Sequence, residues 1–164
     1  MKRRSSKQYS MHCLDEESDL RTYEKHGILK FIMDLKDQGV VKYVGLSTHA
    51  PELANKVLDM KILDMMMFSI NPMHDFGQGD YALGSTGERQ TLYRRCEKEG
   101  VGISVMKLFN AGQLLDAAKS PFHQALTPAQ CLQYALDKPG VLTVVGGPGN
   151  VEQLKEILSF LDTT

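Results

Sequence analysis

Tryptophan is absent from the 164 residues, cysteine occurs only three times, and neither charge sign dominates, the formal net charge being -1 at pH 7. Near-neutrality argues against a general nucleic-acid binder, which carries a strongly basic face. No apolar run approaches the roughly 20 residues that a membrane-spanning helix needs. Cys13, Cys96 and Cys131 are an odd number without CxxC spacing. That argues against a disulfide framework or a zinc site and for a reducing, cytoplasmic setting. The opening Met1–Lys7 is basic but has no apolar stretch behind it, so it reads as a tail (residues 1–8) and not as a secretory signal. What remains, at 42% hydrophobic and 24% charged, is the composition of an average soluble domain, and its length suits a single core.

Organisation is the stronger signal. Short apolar runs alternate with longer amphipathic ones. Val41–Leu46, Met65–Ile70, Val101–Met106 and Val141–Val145 read as strands, with Gln8–Leu14 a poorer one before them. Runs this apolar suit strands buried on both faces, as in parallel sheets. Helical stripes follow: Ile28, Phe31, Ile32 and Leu35; Leu53, Val57 and Met60; Leu92, Tyr93 and Cys96; Leu132, Ala135 and Leu136; Leu154, Ile157, Leu158 and Leu161. Thr127-Pro128-Ala129-Gln130 is a helix start, with threonine as N-cap, proline at the first helical position and glutamine in the third. Asn150-Val151-Glu152-Gln153 repeats the capping logic. The strand ends at His12, Ser47, Asn71, Lys107 and Gly146 are 35, 24, 36 and 39 residues apart, the period of a parallel α/β protein. Five βα units fit either a doubly wound sheet or part of an eight-unit barrel, and periodicity does not choose between them.

In both architectures, polar residues at the carboxyl ends of strands are the functional candidates. Those tips read His12-Cys13-Leu14-Asp15, Ser47-Thr48-His49, Asn71-Pro72, Lys107 and Gly146-Gly147-Pro148-Gly149-Asn150. The last, a glycine-rich turn opening a helix, suits an anion such as phosphate, although an ordinary loop before an N-capped helix gives the same pattern. Other features take plainer readings. Met65-Met66-Met67 is core filler. His26 and His123 sit in loops. His74 with Asp75 lacks a third ligand, so no metal is expected there. Cys13 reads as a buried structural thiol, and Asp15-Glu16-Glu17 as a solvated loop. The glycine-rich Gly77–Gly87 is a cover over the site or a loose connection.

Taken in order, M-H-C-L-D-E-E (11–17), L-K-D-Q-G-V-V-K-Y-V-G-L-S-T-H (35–49), M-F-S-I-N-P (67–72), E-G-V-G-I-S-V-M-K (99–107), S-P-F-H-Q-A-L-T-P-A-Q-C-L-Q-Y-A-L (120–136) and G-G-P-G-N (146–150) resemble the aldo/keto reductases. The nearest flavour is the branch that often carries an iron–sulfur domain. The resemblance selects a partial (β/α)8 barrel over residues 9–164, corresponding to the family's fourth to eighth units. It implies reduction of a small carbonyl substrate with NADP or NAD as cofactor. His12 matches the histidine that orients the carbonyl. Ser47 matches the serine that binds the carboxamide, with Thr48 where many members have asparagine. Asn71 matches an asparagine of the next strand end. Lys107, Leu108 and Gly112 match the loop over the cofactor, and Gly147, Pro148, Gly149, Asn150 and Gln153 the segment at its adenosine phosphate.

The resemblance also implies departures. The family's first three units, with their aspartate, tyrosine acid and lysine, have no counterpart, so the product alkoxide lacks its proton source. Gly147 and Gln153 stand where NADP-preferring members often have lysine and arginine. No cysteine cluster follows Thr164. Two readings result: a reductase segment supplying much of a cofactor site, or an inactive remnant that self-associates through open sheet edges. No turnover, weak or absent cofactor binding and a homo-oligomer are expected.

Overall fold

A computed structural model describes residues 8–162; the basic run Met1–Lys7 lies outside them. Gln8, counted above with the tail, already belongs to a strand. The strands are β1 (Gln8–Met11), β2 (Tyr43–Thr48), β3 (Met65–Ser69), β4 (Gly102–Met106) and β5 (Val141–Val144). They form one sheet in the order β1-β2-β3-β4-β5, every neighbouring pair parallel. A doubly wound sheet reverses its strand order part-way, whereas a barrel adds each strand beside the last. The unbroken sequential order therefore decides for a partial barrel.

The helices are α1 (Glu17–Lys25), α2 (Ile28–Asp37), α3 (Pro51–Asp59), α4 (Pro72–Asp75), α5 (Thr86–Glu99), α6 (Pro128–Leu136) and α7 (Val151–Leu158). Local chemistry sets their starts. Ser85 and Thr127 each accept from the backbone N–H three residues on, while Glu88 and Gln130 reach back to the cap. Each such cap contributes about 1 kcal/mol. Pro128 occupies the first position of α6, where its missing N–H costs nothing. Gly100 ends α5 in the left-handed conformation.

Alternation along the strands builds the core. Leu46, Met66 and Ile103 are in register across β2, β3 and β4, as are Thr48, Phe68 and Val105. Their apolar members join Leu53 and Val57 of α3, Leu92 of α5 and Ala135 of α6 in one buried cluster. Burying a side chain such as Phe68 contributes about 1.5–3 kcal/mol. The opposite face of the sheet carries smaller and more polar residues, Ser47, Met67, Ser104 and Thr143 in one row, with Thr143 Oγ1 donating to Ser104 Oγ at 2.9 Å.

Several sequence expectations are corrected here. The residues read as a solvated acidic loop cap and begin α1: Glu16 is its N-cap, and Asp19 Oδ2 accepts from the Asp15 and Glu16 N–H groups, each at 3.0 Å. On α2, Leu29 and Ile32 are buried and Ile28 and Leu35 pack against the core as expected, but Phe31 is exposed. Met60 and Leu136 lie partly open. Of the methionine run only Met66 is fully buried. On α7, Val151, Leu154 and Leu158 are exposed, while Ile157 packs against the core. No helix among the described residues is long and apolar enough to cross a membrane.

Candidate functional site

The tip of β1 is locked to that of β2 by one carboxylate. Asp15 Oδ1 accepts from Thr48 Oγ1 (3.1 Å) and from the His49 backbone N–H (2.6 Å), and Oδ2 lies 2.8 Å from His49 Nδ1. The Leu14 N–H donates to the Ser47 carbonyl at 3.0 Å. Burial raises the Asp15 pKa, but the hydrogen bonds from His49 and Thr48 outweigh it and hold the carboxyl below its ordinary value. Thr48 Oγ1 also accepts from the Ala50 N–H at 3.0 Å, so its hydroxyl is engaged within the protein.

Asn71 does the same work between β3 and β4. Its amide nitrogen donates to the Lys107 carbonyl (2.8 Å), and its oxygen accepts from the His74 N–H (2.9 Å), capping α4. Lys107 holds φ at +60°, a left-handed conformation that a non-glycine residue enters at a cost of about 1–2 kcal/mol. Its ammonium lies 4.9 Å from the Tyr81 ring centre, and the His49 ring is 4.8 Å from the same ring. Tyr81 belongs to the glycine-rich segment 77–87, so that segment does contribute a side chain over the strand ends.

Beneath this mouth lies a charged hub. Asp75 Oδ1 accepts from Arg89 Nε (2.8 Å) and the Tyr93 hydroxyl (2.5 Å), and Oδ2 from the Tyr134 hydroxyl (2.9 Å). Arg89 also donates to the Ser69 and Leu83 carbonyls. Both charges are buried. Burial pushes the Tyr93 and Tyr134 hydroxyls well above the usual phenol range. His74 turns its Nε2 to Asn110 Oδ1 at 3.0 Å, and burial drives its pKa down to about 4. The His74–Asp75 pair, weighed above as two metal ligands, is thus taken up by the fold.

Between the tips of β4 and β5 opens a cleft of about 530 Å³. Seven residues singled out from the sequence line it: Lys107, Leu108 and Gly112 on one side, and Gly147, Pro148, Gly149 and Gln153 on the other. Gly147 has φ +62° with open space where a Cβ would stand, a backbone that glycine adopts without strain. Gln153 Oε1 accepts from the Gly149 N–H (2.7 Å), and Asn150 caps α7 by accepting from the Gln153 N–H (2.9 Å). His12, Ser47, Thr48, Asn71 and Asn150 do not line this cleft. His12 is exposed just past β1, while Ser47, Thr48 and Asn71 are buried at their strand ends. Cys13, read as a buried thiol, is exposed, with φ +55°.

The family model described as the aldo/keto reductase family matches residues 1–129. The chain belongs to the aldo/keto reductase family. Among solved structures, it is similar to the aldo-keto reductase AKR11C1 from Bacillus halodurans. Against the holo form the TM-score is 0.72 at 17% identity, covering 96% of this chain and 56% of that one. Against the apo form it is 0.64 at 19% identity with the same coverage. The chain therefore spans little more than half the length of these relatives, and the likeness bears on fold. No curated protein matches.

Sequence reasoning named Asp15 and His49 among the strand-end residues but gave them no role, and it missed Tyr81, Arg89 and Glu156. Asp15 sat in an apparent charge run, and Tyr81 and Glu156 carry no periodic signal. The Asp75–Arg89 pair joins residues 14 positions apart on different helices, a spacing that no local pattern marks.

Proposed function

We propose that this chain is the cofactor-holding part of an NAD(P)H-dependent aldo/keto reductase, acting on small aldehydes or ketones. The observation that carries the reading is the cleft between β4 and β5, into which seven of the twelve residues named from the resemblance converge. When bound, the reduced nicotinamide supplies the hydride. Lys107 and the amino end of α7 would hold the phosphates of the dinucleotide, favoured by an ammonium charge and by the helix dipole. Gly112 and Gly147 let the backbone approach without an intervening Cβ. Ser47 would stand at the nicotinamide end and His12 would donate a hydrogen bond to the substrate carbonyl, whereas the Asn71 amide is already spent on the Lys107 carbonyl and the His74 N–H.

Glu156 lines the cleft on the α7 side, where no lysine or arginine does. A carboxylate there disfavours the extra phosphate of NADP, so NADH is the preferred form. The resemblance assigns the aspartate, tyrosine and lysine of the reaction to barrel units other than these five. The chain alone is accordingly expected to bind NADH weakly and saturably without turnover. An NADH-oxidation assay across an aldehyde panel checks this; turnover by the purified chain would overturn the division of labour.

Self-association follows from the same geometry. Leu142 on the edge strand β5 and Val151, Leu154 and Leu158 of α7 are exposed, and a second copy of the chain is the proposed cover. Sedimentation velocity should show a dimer or larger, and a well-folded monomer would contradict it. Three free thiols suit a cytoplasmic setting.

A further inference from the structure

We propose that Cys13, Asp15 and His49 form a binding site for a zinc-class divalent cation at the β1–β2 tip. Their ligand atoms all lie within 4.8 Å of one another: Cys13 Sγ is 3.8 Å from Asp15 Oδ2, which in turn is 2.8 Å from His49 Nδ1. A tetrahedral zinc ion, with bonds of about 2.3 Å to sulfur and 2.0–2.1 Å to nitrogen or oxygen, spaces its ligands roughly 3.3–3.6 Å apart. Small side-chain adjustments reach that spacing. One sulfur, one imidazole nitrogen and one carboxylate oxygen is a set that suits zinc better than magnesium or calcium, which prefer all-oxygen sites.

Two further observations support the site. Asp15 is held by its other oxygen, which accepts from Thr48 Oγ1 and the His49 N–H, so the carboxylate is oriented before any ion arrives. His49 is 94% buried, yet its Nε2 has no hydrogen-bond partner. Among the described residues the ring is held by Asp15 and lies against Tyr81; presenting Nδ1 to an ion gives up the Asp15 hydrogen bond and leaves the ring proton on the buried Nε2, a cost that the metal bond must exceed. Cys13 is exposed, so the fourth coordination position faces solvent at the strand-end mouth. On binding, the Cys13 thiol gives its proton to solvent and its sulfur bonds the ion. The His49 proton moves from Nδ1 to Nε2, and the net release is one proton per ion.

The site does not depend on the nucleotide reading and is tested apart from it. The reduced chain is titrated with Co²⁺ and followed by absorbance, with circular dichroism to confirm folding. One equivalent should give a thiolate-to-cobalt charge-transfer band that Zn²⁺ abolishes by displacement. Cys13→Ser should remove the band, and Asp15→Asn should weaken binding more than about tenfold, the scale on which losing even an outer-shell partner acts. A variant with Cys96 and Cys131 replaced by alanine should keep the band. In parallel, Zn²⁺ should slow alkylation of Cys13 by iodoacetamide, a readout that needs no variant. A band that survives Cys13→Ser, no band at one equivalent, or an alkylation rate indifferent to Zn²⁺ would overturn the site.

Discussion

Replacing Asp75 by alanine is expected to remove a large share of the chain's stability without touching the cleft. The magnitude follows from what the carboxylate holds. Arg89 is fully buried, and without Asp75 its guanidinium keeps the Ser69 and Leu83 carbonyls and the Phe68 ring face but no counter-charge, while the Tyr93 and Tyr134 hydroxyls lose their acceptor. Breaking a buried pair by deleting one partner costs about 3–5 kcal/mol, because an uncompensated charge is left behind. That is a large fraction of the ~5–15 kcal/mol typical of a domain. With a urea slope of about 2 kcal/mol/M, the midpoint should fall by about 2 M. The double variant Asp75→Leu/Arg89→Met removes both charges and should recover at least half of the loss. Urea unfolding followed by circular dichroism measures all three proteins. A midpoint for Asp75→Ala within about 0.3 M of the parent, a shift of well under 1 kcal/mol at that slope, would refute the reasoning. So would a double variant less stable than the single one.

His74 makes stability depend on acid. Its folded pKa of about 4 lies below the ordinary value of 6.5, so the unfolded chain binds the extra proton first. The contribution is complete above pH 6.5 and declines as pH falls towards 4, by about 3 kcal/mol in all. His74→Gln should flatten urea midpoints across that window, and an unchanged slope would count against it. At the cleft, Glu156→Lys should move preference towards NADPH by about tenfold or more, corresponding to about 1.4 kcal/mol, read by fluorescence titration of both cofactors. Gly147→Val should lower stability by about 1–2 kcal/mol, since φ there is +62°, and weaken NADH binding as its side chain enters the cleft. Equal NADH affinity in the two proteins would place the cofactor elsewhere.

The central strands β2, β3 and β4 were legible because burial leaves few polar interruptions, whereas β5, expected to be buried, exposes Leu142. β3 and β4 start and end within one residue of the apolar runs that announce them. β2 begins two residues later than its run, since Val41 is buried before the ladder starts. The starts of α6 and α7 were legible because caps are local chemistry: Thr127 and Asn150 each satisfy the N–H three residues on. α1 was hidden because its cap is acidic and reads like a solvated run. The α2 stripe misassigned Phe31 because spacing fixes a face's width but not which edge meets the sheet. Barrel and doubly wound sheet share one rhythm, so only strand order separates them. Seven cofactor candidates meet in one cleft, but Thr48 and Asn71 are engaged in tying strand ends together, which depends on partners 33 and 36 residues away.

Amide chemical shifts of the isotopically labelled chain during an NADH titration test the nucleotide cleft most directly. The signals of Lys107, Leu108, Gly112 and residues 146–153 should move together and saturate, while those of α1 and α2 stay still. Saturable movement centred on other elements, or none in a chain whose spectrum is folded, would contradict the assignment.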